Sequence, residues 1–175
     1  PEDYGENVRA LEAVQPVDLT ASEISVRLGA TWLTLEIIEE FMFELFSTPR
    51  YCQWNIHVHY AQYTGEWNVE GKSYDRSNVK AYNTYGTGRV NGYKIMEETL
   101  NLRDVRIFDY IEDGNGRKTA VLNKKETAIA QGKQELIKQA FADWIWSDPE
   151  RREQLTKLYN EKFNSIRPAS MTAAT

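Results

Sequence analysis

The spacing of apolar residues changes character along the chain. Ile37, Ile38, Phe41, Met42, Leu45 and Phe46 recur at helical spacing and predict one buried helix face, with Thr34 as its cap and Pro49 beyond its end. Upstream, residues 7–14 read as a short helix that ends before Pro16. Thr20 and Glu23 have capping-box spacing, for a helix running to Leu28 with Gly29 as its stop. From Tyr51 the period becomes two: Trp54, Ile56, Val58 and Tyr60 alternate with Asn55, His57, His59 and Ala61, as in a half-buried strand. Thr64-Gly65 turns the chain into a partner strand at 66–70, and 78–85 reads as a third strand. Residues 91–100 return to helical spacing through Tyr93, Ile95, Met96 and Leu100. Asp113-Gly114-Asn115-Gly116 is a hairpin turn between strands at 105–111 and 118–122. Asn123 and Glu126 cap a long helix to Trp146, whose stripe is Ile129, Leu136, Ile137, Ala140, Phe141, Trp144 and Ile145. Asp148-Pro149 restarts a last helix, with Leu155, Leu158, Tyr159 and Phe163 on its apolar face.

These elements add up to an α+β fold. The expectation is an antiparallel sheet of about five strands, with N-terminal helices, an inserted helix and a C-terminal helical pair. No repeat and no low-complexity linker interrupts 1–168, which reads as a single α+β domain, and 169–175 reads as a frayed tail. The sequence starts at Pro1, with neither an initiator Met nor a secretory signal, and reads as a piece of a larger cytoplasmic protein. No apolar run approaches the roughly 18 residues of a membrane helix.

Composition narrows the chemistry. A single cysteine, Cys52, excludes an internal disulfide and a multi-cysteine zinc site. The net charge of −5 is unevenly spread. Residues 1–70 hold three arginines against twelve carboxylates, net −9, and the rest of the chain is net +4. Two segments are locally basic, 71–94 and 117–133, each with five cations against one carboxylate. A polyanion could meet those segments without being attracted to the whole molecule.

Catalytic candidates are thin. His57 and His59 share one strand face and Cys52 is near in sequence, but a third ligand at zinc spacing is missing, so no metal is expected. Nothing marks Cys52 as an activated nucleophile. Glu36, Glu39, Glu40 and Glu44 read as the solvated face of their helix. Residues 85–88, Tyr-Gly-Thr-Gly, match neither a P-loop nor a dinucleotide fingerprint, and no cofactor is expected. The helical pair at 20–46 superficially resembles a helix-turn-helix, but its second helix carries four glutamates and no cation, which DNA phosphates would repel.

Segment 71–94 is the better nucleic-acid candidate. Lys72, Arg76, Lys80, Arg89 and Lys94 interleave with Tyr74, Tyr82, Tyr85 and Tyr93, and cations beside stacking rings are what single-strand binding uses. With Lys124 and Lys125 added, the expected DNA-binding set is Lys72, Arg76, Lys80, Tyr82, Tyr85, Arg89, Lys94, Lys124 and Lys125, for weak, sequence-independent binding. The alternative is a solvated segment whose tyrosines belong half to the core.

Several longer stretches carry a resemblance. They are 18–32, Tyr85-Gly-Thr-Gly-Arg-Val-Asn-Gly-Tyr93, Glu98-Thr-Leu-Asn-Leu-Arg103, Asn123-Lys-Lys-Glu-Thr127, Trp144-Ile-Trp-Ser-Asp-Pro-Glu-Arg-Arg152, Tyr159-Asn-Glu-Lys-Phe-Asn164 and Ile166-Arg-Pro168. Together they resemble the middle region of very large phage- and mobile-element-encoded proteins that join an N6-adenine DNA methyltransferase to an SNF2-type helicase. The resemblance implies neighbouring methylase and helicase domains in the parent chain. The adenine methylase's Asp/Asn-Pro-Pro-Tyr/Phe motif is missing, and so are the helicase's Walker lysine and acidic box. The segment is therefore expected to be non-catalytic: an accessory module that guides DNA to the helicase or, alternatively, a structural spacer or protein-interaction module between the two enzymes.

Overall fold

The computed structural model describes residues 17–164, so the helix expected over 7–14 and the tail expected over 169–175 lie outside the described residues. The chain forms two compact units, one of residues 27–144 and one that combines 17–26 with 145–164.

In the larger unit, α1 (Leu35–Phe46) starts where the sequence places it, with the Thr34 hydroxyl accepting from Ile37 N–H at 3.3 Å. It buries Ile38, Phe41, Met42 and Phe46, and Ser47 closes it in the left-handed conformation. The strand expected from Trp54 begins later. Pro49 instead opens α2 (Arg50–Gln53), a single turn, and Trp54 lies 81% exposed beyond it. β1 (His57–Ala61) then pairs antiparallel with β2 (Glu66–Glu70), with Val58 opposite Val69 and Tyr60 opposite Trp67. Val58, Trp67 and Val69 are buried.

The strand expected over 78–85 is a π-helical turn, Lys80–Thr84. The Asn78 side chain accepts from Ala81 N–H at 3.1 Å, and this local bond favours a helical start over a ladder. α3 (Gly92–Leu100) follows, with the Asn91 side chain accepting from Lys94 N–H at 3.0 Å. The next strand begins only at Phe108, because the backbone of 103–107 is bonded by side chains of the long helix instead of a neighbouring strand. β3 (Phe108–Glu112) pairs antiparallel with β4 (Lys118–Leu122) across the Asp-Gly-Asn-Gly turn. α4 (Lys124–Ile145) is capped by Asn123, whose side chain accepts from Glu126 N–H at 3.0 Å. Gln134 of α4 accepts from Val105 N–H (3.2 Å) and donates to Arg103 O (2.8 Å). Gln131 donates to Val105 O (3.1 Å), and Thr127 accepts from Ile107 N–H (2.9 Å).

The α+β class therefore holds, but the expected sheet of about five strands does not: β1–β2 and β3–β4 are two separate two-stranded antiparallel sheets. The core of this unit joins α1, α3 and α4. Phe41 meets Phe141 edge-on at 5.1 Å between centroids and Trp144 at 5.3 Å, and Trp144 Nε1–H donates to Glu44 at 2.8 Å.

In the smaller unit, the expected helix from Thr20 to Leu28 is a 3-10 turn, Ala21–Glu23. Glu23 accepts from Thr20 N–H (3.2 Å) and from its hydroxyl (2.8 Å), but Ile24 and Val26 are β-branched and the chain leaves the helix at Ile24. With that helix gone, the helix-turn-helix reading has no first member. α5 (Pro149–Tyr159) opens with Asp148 as its cap, accepting from Arg151 N–H at 2.9 Å. Beyond it, the buried Asn160 amide binds both backbone groups of Leu19, at 2.8 and 2.9 Å.

Candidate functional site

The structure distributes the nine expected DNA-binding side chains over several surroundings. Lys72 and Lys94 converge on Glu97, a carboxylate only 6% exposed: Lys72 Nζ donates at 2.6 Å and Lys94 Nζ at 2.9 Å, and Val69 N–H adds a third bond at 2.9 Å. Lys94 also pairs with Glu98 at 3.1 Å. Burial pushes the Glu97 carboxyl up, but the two ammonium groups and the Val69 amide outweigh it and hold the group below the usual carboxylate range.

Arg89 pairs with Asp109 at 2.8 Å and donates to Phe108 O at 3.0 Å. Asp109 also accepts from the Asn123 amide at 2.9 Å. Arg89 and then Asn123 hold the Asp109 carboxyl below its ordinary value. This chain of bonds ties Arg89 to the start of α4, where Lys124 and Lys125 stand exposed. Lys80 donates to the Ser47 hydroxyl at 2.9 Å, at the end of α1. Arg76 donates to Ser73 O at 3.2 Å.

The rings are also used internally. Tyr93 is fully buried and packs edge-on against Phe46 at 4.7 Å between centroids, and Tyr85 packs against the same Phe46 at 6.0 Å. Tyr82 is half-buried, beside Arg76 and Arg89 in an open groove of about 490 Å³. Of the nine side chains, the structure thus brings Arg76, Tyr82 and Arg89 to one open groove, and Lys72 and Lys94 to Glu97.

Sequence reasoning missed a buried polar cluster beneath this region. Asp75, 4% exposed, accepts from Tyr93 O–H (2.9 Å), Asn78 Nδ2–H (2.6 Å) and Cys52 S–H (3.7 Å). Thr48 is hydrogen-bonded to the Tyr93 hydroxyl at 2.6 Å. No cation reaches the Asp75 carboxylate among the bonds of the described residues, so hydrogen bonds alone offset its burial. Burial, and then Asp75, pushes the Cys52 thiol up. Burial likewise raises the Tyr93 phenol. The one legible sign was that Asp75 is the lone carboxylate in a basic segment.

His57 and His59 each meet a carboxylate, Glu39 at 3.3 Å and Glu70 at 2.7 Å. Among the described residues no group of three or more His, Cys, Asp or Glu side chains could hold a metal ion, and no helix is long and apolar enough to cross a membrane.

β3–β4 differs from everything above. Every residue from 110 to 122 is exposed, including Tyr110 (72%), Ile111 (56%), Val121 and Leu122. Phe108 opposes Leu122, and Tyr110 opposes Ala120, on one face of the ribbon.

No curated protein and no solved structure matches the chain. A family model, that of a domain of unknown function (DUF8437), matches residues 27–165 and begins where the larger unit begins. That match covers most of the sequence, and the chain belongs to the DUF8437 family.

Proposed function

We propose that this chain is a non-catalytic connector that holds neighbouring protein in place, working in the cytoplasm. On the resemblance set out above, the neighbours are the methylase and helicase domains of a larger protein. The observation that carries the reading is where the cations of 71–94 go. Lys72 and Lys94 pair with Glu97, and Arg89 with Asp109, so three of the five are committed within the fold. A phosphate would have to compete with carboxylates already within 3 Å of each. Of the two rings expected to stack, Tyr85 packs on Phe46, and Tyr82 stays half-buried in the open groove. The exposed apolar ribbon β3–β4 fits a protein contact better than a polyanion.

Weak DNA contact is the second reading, favoured by one observation: Arg76, Tyr82 and Arg89 share an open groove. Two titrations separate the readings. Labelled single- and double-stranded DNA at physiological salt should bind no tighter than about 10⁻⁴ M, the weak end of non-specific binding. The separately expressed neighbouring domains should capture the chain, and Ile111→Asp in the ribbon should release it. Micromolar DNA binding that is lost on Arg76→Ala, with no capture of the neighbours, replaces the connector with the DNA reading.

A further inference from the structure

The connector reading leaves open what the partner presents, and the backbone of 103–113 answers it. Two bonds set the phase of β3 against β4: Asn123 N–H donates to Ile107 O at 2.8 Å, and Asp113 N–H donates to Arg117 O at 2.9 Å. With Asp109 opposite Val121 and Ile111 opposite Thr119, the odd-numbered residues form the hydrogen-bonded pairs of the ladder. Upstream the same parity continues. Arg103 O and both backbone groups of Val105 are bonded by Gln134 and Gln131 of α4, and Ile107 N–H by Thr127. Every odd residue from 105 to 113 thus turns its backbone inward, to α4 or β4, while Arg103 gives its C=O to α4 and its N–H to Glu98 O of α3. Alternation puts the N–H and C=O of Asp104, Arg106, Phe108, Tyr110 and Glu112 on the opposite edge, and all five residues are exposed. Arg89 donates to Phe108 O, and no other bond to these outward groups is found among the described residues. The segment contains neither Pro nor Gly. An edge of this length, about 27 Å at strand rise, templates pairing unless something covers it.

We propose that the outer edge of 104–112 receives an extended segment of a partner protein as an added β-strand, and that this segment alternates acidic and apolar side chains. The chemistry comes from the groove beside the edge, about 660 Å³ and open to solvent. Arg89, Lys94, Arg103 and Arg106 line it against Glu98 and Asp104. Arg89, Lys94 and Arg103 are already paired with carboxylates, so the acidic preference falls to Arg106, while Val90, Leu102 and Phe108 supply apolar surface. Leu102 is 61% exposed, and Arg106 has no carboxylate partner among the described residues. Backbone bonds supply affinity in this mode, and alternate side-chain contacts supply selectivity. A second copy is a poorer occupant. Antiparallel self-pairing centred on Phe108 would set Asp104 against Glu112 twice, with like charges directly opposite.

The test uses the full chain and two fluorescein-labelled nine-residue peptides, one alternating Glu and Val, the other Lys and Val. The Glu/Val peptide should bind at least tenfold more tightly than the Lys/Val peptide and protect the amides of Arg106, Phe108 and Tyr110 from exchange. Tyr110→Pro removes an outward N–H and leaves the ladder intact, so the melting temperature should hold while binding falls at least tenfold. Arg106→Glu leaves the backbone unchanged and should reverse the peptide preference, which keeps the test decisive if the proline variant misfolds. The proposal is overturned if neither peptide binds at millimolar concentration, if binding survives Tyr110→Pro in the folded variant, or if sedimentation shows that a second copy protects the same amides. Failure of the peptide while the neighbouring domains are still captured removes the strand and leaves the connector. Failure of both removes the connector as well.

Discussion

The described residues carry two hairpins of the same size, each with five-residue strands, and their surroundings are opposite. In β1–β2 the alternation is used: Val58, Trp67 and Val69 are buried, with α1 against β1 and α3 against β2. Even the outer edge of β2 is closed by side chains. Asn101 accepts from Trp67 N–H (2.7 Å) and donates to its O (2.8 Å). Glu97 accepts from Val69 N–H (2.9 Å), and Lys72 donates to Val69 O (2.8 Å). In β3–β4 no residue from 110 to 122 is buried, and apart from the bond of Arg89 to Phe108 O no bond to the outer edge of β3 is found among the described residues. A two-stranded ribbon is marginal by itself, so the first hairpin belongs to the core and the second is held at its base by Asn123 and α4. The difference is the covering, and it separates a structural hairpin from one available for contact.

The comparison breaks most visibly on its aromatic residues. Trp67 is 5% exposed and packs on Tyr60 at 4.7 Å between ring centroids, so Trp67→Ala should cost about 4 kcal/mol in urea unfolding. Tyr110→Ala on the exposed ribbon should cost about 0.5 kcal/mol or less. Amides of β1–β2 should exchange near the global opening rate, and those of β3–β4 much faster. Equal costs at the two positions would mean that the ribbon is buried in solution.

The next test removes the charge that closes the β2 edge. Glu97→Gln leaves Lys72 with Val69 O and Lys94 with Glu98, and because both lysines also keep some exposure the cost should be about 2 kcal/mol, below that of breaking a fully buried pair. The pH dependence has a definite sign. The folded carboxyl lies below its ordinary value of 4.5, so its stabilisation is fully present above that pH and is lost as pH falls through the folded value. Melting curves of wild type and variant should therefore converge on acidification. A gap that persists to pH 2 would show that the network acts through shape and not charge.

Local signals were legible in the sequence because they rest on neighbouring residues. Thr34, Asn123 and Asp148 all cap helices, and Asp113-Gly114-Asn115-Gly116 turns a hairpin. What failed was pairing at a distance. Period two at 54–60 shows that one face is covered but not by what, and the cover proved to be helices instead of further strands. At 105–107 the alternation was real, yet the backbone partners are Gln131, Gln134 and Thr127 of a helix some twenty to thirty residues on. The charge count for 71–94 gave the sign correctly and said nothing of Glu97, which lies 25 residues beyond Lys72 and takes its charge. The spacing of Lys94 to Glu97 and Glu98, three and four along one helix, was the readable half of that network.

The smallest effect sharpens the same contrast at two turn glycines. Gly71 follows β2 and Gly116 sits in the β3–β4 turn, and both are left-handed, with φ of 76° and 79°. The conformational cost of a side chain should therefore be alike, about 1 kcal/mol for alanine at each. Their neighbours differ. A Cβ at Gly71 would lie 2.0 Å from Asn55 O, a backbone atom in the covered hairpin, whereas a Cβ at Gly116 would meet nothing within 4 Å. Gly71→Ala must shift the chain entering β1, adding at least about 1 kcal/mol to the shared term. Urea midpoints of the two variants should place Gly71→Ala at about twice the cost of Gly116→Ala. Equal costs would mean that Asn55 gives way freely, and that the first hairpin is held less tightly at that end than its buried strands imply.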